Sequence, residues 1–117
     1  MSDRAALNER EVQAREALVE LASAMLCGRE SFFEGAVQLL RLKPAVGGTA
    51  DSDPDFDVFV AIESETDHLP LQAQQNLWSA EALSVLLPEF ERTERWAAEF
   101  APAACRSLIE RFRKPAE

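Results

Sequence analysis

Four aspartates on alternate positions, Asp51, Asp53, Asp55 and Asp57 in TADSDPDFDVFVAIESETDHLP, are the chain's densest run of chemically useful side chains. Oxygen ligands at that spacing suit calcium, and the natural comparison is the EF-hand loop. With Asp51 as the first position, that loop needs glycine at the sixth and a bidentate glutamate at the twelfth. Phe56 and Ile62 stand there, and Pro54 sets the backbone for a helix. Hydrolysis would need two carboxylates in different environments or a nucleophile beside a base. His68 is the sole histidine; in ETDHLP it sits where a helix C-terminus favours a partly cationic imidazole and a structural role. Cys27 and Cys105 lack CxxC spacing, so buried thiols are expected rather than a disulfide, and with one histidine they make no zinc set. VGG lacks the lysine and the preceding strand of a phosphate loop. No catalytic residue, metal or cofactor is expected, and an enzyme is the last of three alternatives, resting on acids close to His68.

Charge distribution is more informative. Between Lys43 and Arg92 there is no Lys or Arg, but ten acids: Asp51, Asp53, Asp55, Asp57, Glu63, Glu65, Asp67, Glu81, Glu89 and Glu91. All 12 basic residues of the chain lie outside this span with the other 11 of its 21 acids, so the net charge of -9 arises in the middle. Such a field disfavours nucleic acid and anionic membrane and speeds encounter with a basic partner. The competing reading is a solvated surface that only keeps the protein soluble. Trp78 lies in a connector beside the acids, where it either caps the core or anchors an interface. Trp96, one turn before Phe100, reads as core.

The elements that must position these residues are helical. At 117 residues, with 47% hydrophobic and 28% charged residues, the chain suits one domain over residues 1–117 that needs no disulfide. Its N-terminus is charged throughout, without the apolar stretch of a signal or anchor, so the cytoplasm is expected. Ala14, Leu18, Leu21 and Met25, widened by Val19, Ala22 and Leu26, predict a first helix from about Ala5 to Cys27, ended by Gly28. SFFE predicts a capping box, Ser31 bonding the amide of Glu34 and Glu34 reaching back, at the head of a second helix that stops at Lys43 and Pro44. Asp53-Pro54 is a helix start, with Asp55 complementing the dipole. The third helix then runs to about Asp67 with Phe56, Phe59, Val60 and Glu63 on one face; a strand at VFVAI is the alternative. After a connector with one helical turn, Ser79 caps a helical stretch in which Pro88 and Pro102 each mark a kink or a new start. Phe90, Ala97, Phe100, Ala104, Leu108 and Phe112 supply its buried faces. The expected architecture is an all-α, antiparallel bundle of about five helices.

GRESFFEGAVQLLRLKP, then DPDFDVFVAIESETDHLP, then LWSAEAL resembles small helical bacterial proteins, some of them like immunity proteins encoded beside secreted toxins; the resemblance spans about Ala14 to Phe112. It implies stoichiometric binding that blocks a toxin's active site or substrate groove, and no catalytic residue carries over. Residues and resemblance together predict an acidic inhibitor of a basic protein, with a toxin domain as the candidate partner and the binder itself a monomer or weak homodimer. The expected partner-binding residues are Asp51, Asp53, Asp55, Asp57, Glu63, Glu65, Asp67, His68 and Trp78. The alternative is an intracellular adaptor or regulatory subunit with a more apolar helical interface.

Overall fold

The computed structural model describes residues 2–47 and 53–113, with side chains described for 9–47 and 53–113. Five α-helices follow in order, α1 Ser2–Leu26, α2 Phe32–Val46, α3 Pro54–Thr66, α4 Ala80–Ala97 and α5 Ala101–Phe112, with a 3-10 turn at Gln72–Leu77 before α4. The described residues contain no strand, so VFVAI is helical and the chain is an all-α bundle. None of the described helices is long and apolar enough to cross a membrane.

Helix α1 buries Ala14, Leu18 and Met25 of the expected stripe, with Ala22 fully buried where Leu21 is only half-buried. It ends at Gly28, whose φ of 82° suits a residue without Cβ, and the amides of Arg29 and Glu30 fold back onto the Ala24 carbonyl at 2.9 and 3.2 Å. Gly35 of α2 faces the Met25 side chain, and a Cβ there would collide with Met25 Sδ. The missing side chain leaves room for Met25 between the first two helices. Further along, Arg15 Nε donates to the Val46 carbonyl at 2.8 Å, so the end of α2 meets the middle of α1 and the two run antiparallel.

That contact also explains a departure from expectation. Helix α2 does not stop at Pro44 but continues to Val46, with Gly47 at φ 69° behind it. Val46 is fully buried and its carbonyl is held by Arg15, so tertiary contacts outweigh the local penalty of proline in the last turn. The capping box is half formed: Ser31 Oγ accepts from the Glu34 amide at 3.0 Å, but Glu34 Oε2 accepts from the Gln72 amide at 2.7 Å and so pins the 3-10 turn.

Helix α3 starts as predicted, Asp53 accepting from the Asp55 amide at 3.1 Å with Pro54 in the first turn. Its buried face is Phe56, Phe59, Ile62 and Thr66, one step round from the predicted one. Val60 and Glu63 are exposed, and Ile62 is buried against the neighbouring helices in their place. Phe56 meets Phe112 edge-on at 6.5 Å, which sets the start of α3 against the end of α5, antiparallel. Leu18, Leu39, Phe56, Phe59 and Leu108 from α1, α2, α3 and α5 make the centre of the core.

Helix α4 is different. Only Ala97, at its end, is fully buried. Its C-terminal half is clamped to α2: Phe90 lies edge-on to Phe33 at 5.5 Å, and the Glu94 carboxylate accepts from the Phe32 and Phe33 amides at 3.1 and 2.7 Å. A carboxylate on those orphan amides at the positive end of α2 is favourable on both counts. Pro88 starts no new helix, since α4 runs through it; Pro88 is exposed there, leaving the freed carbonyl one turn back near solvent. Pro102, by contrast, stands in the first turn of α5 and does begin a helix. Ala104 and Leu108 are buried as predicted, while Phe90, Phe100 and Phe112 are half-buried.

Candidate partner-binding face

The predicted acids separate into two groups with different surroundings. Asp53 and Asp55 belong to a closed ion-pair cluster at the junction of α3 and α5. Arg111 grips Asp53 with both guanidinium nitrogens, at 2.9 and 2.8 Å, and donates to Asp55 Oδ2 at 2.8 Å. Ser107 Oγ donates to the same Asp55 oxygen at 2.7 Å. Asp53 is 6% exposed, and the adjacent guanidinium holds its carboxyl below the ordinary range. Arg111 is pushed the other way, its charged form stabilised first by Asp53 and then by Asp55. Asp55, expected to complement the dipole of α3 and to face a partner, ties α3 to α5 instead. Asp51 lies outside the described residues.

The second group is exposed. Asp57, Glu63, Glu65 and Asp67 lie on the outer surface of α3 and its end. Glu63 and Asp67 border a surface cavity of about 320 Å³ shared with Phe33, Val37 and Leu69. Glu65, on the opposite flank of α3, borders a cavity of about 330 Å³ with Glu89, Arg92, Thr93 and Trp96 of α4. Asp67 also borders a third cavity, of about 320 Å³, with His68, Leu77 and Trp78. Three predicted residues, Asp67, His68 and Trp78, are therefore brought together, although nine residues of chain lie between His68 and Trp78.

His68 joins the two flanks. Its Nε2 pairs with Glu89 Oε1 of α4, and its Nδ1 is 3.9 Å from Asp67 Oδ1. The Glu89 contact, with the charge of Asp67 behind it, raises the imidazole above its ordinary pKa, and so favours the cationic form by a different cause from the helix end that the sequence suggested. Glu89 carries no local signal in the sequence, because only folding places it opposite residue 68.

Large apolar side chains are also exposed just before and along α4. Leu77 is 83% exposed, Val85 75% and Trp78 42%. Trp96 stacks edge-on against Phe100 at 4.7 Å but stays 37% exposed, so it is not the core residue its pattern suggested. Val85, Glu89, Arg92 and Trp96 recur at helical spacing and share one side of α4. Neither thiol is bonded to the other: Cys105 is buried, its pKa pushed up to about 11 by that burial. Cys27, expected inside, is exposed, with Arg29 Nε donating to its sulfur at 3.0 Å and lowering its pKa. Among the described residues no group of three or more His, Cys, Asp or Glu is placed to hold a metal.

Compared with family models, curated proteins and solved structures, the chain has no match.

Proposed function

We propose that this chain works by stoichiometric binding to a basic protein, as an immunity-type inhibitor with a toxin domain as its target. One observation carries the reading: exposed Asp67 lies beside exposed Trp78 and Leu77 in a span with no lysine or arginine between Lys43 and Arg92. Carboxylates around an aromatic and aliphatic patch attract a basic surface from a distance and offer it apolar area on contact. Asp53 and Asp55 take no part in this reading, because Arg111 occupies them. A second reading, an adaptor or regulatory subunit with an apolar interface, is favoured by the exposure of Leu77, Val85 and Leu87.

Recovery of the bound partner from the native host with intact-mass identification, followed by association kinetics, tests the choice. Asp57→Asn, Glu65→Gln and Asp67→Asn combined should slow association about tenfold at low salt and by much less at about 0.5 M. An on-rate unchanged in the folded variant would leave the acids as a solvated surface and the adaptor reading in front.

A further inference from the structure

Residues 71–96, the 3-10 turn with nearly all of α4, contain no buried residue, whereas each of the other four helices buries at least four. The central core is drawn from α1, α2, α3 and α5 and takes from α4 only Ala97, at its end. On the other side burial stops at Leu69 and Pro70. The stretch between is laid on the bundle and not built into it.

Its ties to the bundle gather at the head of α2. Phe90 lies against Phe33, the Glu94 carboxylate accepts from the Phe32 and Phe33 amides, and Glu34 accepts from the Gln72 amide. A further link, Glu89 to His68, is half-exposed. Around these ties the seam is open. A cavity of about 360 Å³ lies between Glu30 and Phe33 of the bundle and Gln75 and Phe90 of the stretch, and the one of about 330 Å³ lies between Glu65 and Arg92 with Trp96. Such a seam lacks the close packing by which a core resists local opening. Phe33 is 5% exposed yet lies outside the central cluster, and Leu71, Gln74, Gln75 and Phe90 border it from the stretch.

We propose that residues 71–96 form an arm that leaves the bundle and unfolds as one unit while α1, α2, α3 and α5 stay folded, with Glu94 as its latch and Phe33 as the residue it uncovers. The arm hinges where burial ends, at Pro70 and at the turn over residues 98–100. Once released, α4 is an 18-residue helix alone in water with Pro88 inside it, and isolated helices of about this length are marginal. Opening therefore melts it and frees its amides. Arm opening needs no partner, so it stands apart from the binding reading above.

Native-state hydrogen exchange of the intact chain in low concentrations of urea tests the arm. Amides within α4 should exchange together, at least about a hundredfold faster than those of Leu18, Ile62 and Leu108, and with a weaker dependence on urea because less surface is exposed. The Phe33 amide, whose acceptor is Glu94, should follow α4 and not the rest of α2. Phe90→Ala combined with Glu94→Gln should remove most of the protection in α4 and leave Leu18, Ile62 and Leu108 protected. Exchange at those three should rise by no more than the factor that had favoured the closed arm, since an arm already open has no contacts left to lose. Rates and urea dependence shared by α4 and Leu18 in the wild type would overturn the arm, as would a double variant that fails to fold. Protection of α4 that survives in the double variant would overturn the latch.

Discussion

The two ends of α3 treat their carboxylates in opposite ways. At the start, Asp53 and Asp55 are closed off by one arginine from α5, and Phe56 beside them is fully buried. At the far end, Glu65 and Asp67 remain exposed and the contact across to α4 is a half-exposed histidine pair. Both belong to one acidic run in the sequence, so residue type does not separate them. Burial does: a carboxylate taken from water needs a partner at fixed geometry, whereas one left in water is available to a partner from outside. The first end holds the fold together, and the second is where binding is proposed.

The sharpest way to break this comparison is Arg111→Met. It leaves Asp53 buried without its counter-charge and should destabilise the protein by about 2–4 kcal/mol in denaturant melts at neutral pH. Asp53 is depressed below its ordinary 3.8, so the stability it contributes is complete above that value and is lost as pH falls through the lower folded one. The gap between wild type and R111M should therefore narrow in acid; a gap that widened would mean that Asp53 is not the group left stranded. Next in size is Glu94→Ala, which removes the carboxylate from the Phe32 and Phe33 amides and should cost about 1–2 kcal/mol. Helix α4 should loosen with it, so faster amide exchange across Ala80–Ala97 is the second readout.

At the exposed end the same measurements should hardly move. Val85→Ser should change stability by no more than about 0.5 kcal/mol, since that side chain is already largely in water. A larger loss would place Val85 in the fold and not on a surface. The smallest effect belongs to His68. Its raised pKa means that the pairing with Glu89 stabilises fully below the ordinary 6.5 and fades as pH rises through the folded value. Its imidazole signals should titrate above 6.5 in NMR spectra, and Glu89→Gln should bring the midpoint back down.

Much of the scaffold is legible residue by residue. Asp53-Pro54 starts α3, Gly28 closes α1, Ser31 and Ser79 cap the helices that follow them, and Pro102 opens α5. Each of these signals acts within about one turn of chain, through a backbone angle or a nearby amide, so no knowledge of the rest of the fold is needed. The buried face of α1 was readable because its small and large apolar residues keep strict helical spacing. The face of α3 was harder. VFVAI is apolar on nearly every side, and only packing against the neighbouring helices decided that Ile62 goes in and Val60 stays out.

The sequence by itself determined the helices, most of their limits and the accumulation of negative charge between residues 44 and 91, because propensity, capping and formal charge are properties of neighbours in the chain. Only the tertiary structure decided where the charges and aromatics lie and what they pair with. It handed Asp53 and Asp55 to Arg111, set Glu94 on the head of α2, carried α2 past Pro44 to bury Val46, and laid Trp96 open beside Glu65 and Glu89. Each of those outcomes depends on groups far apart in sequence becoming close in space, where desolvation and pairing are settled together, and no local pattern encodes that distance.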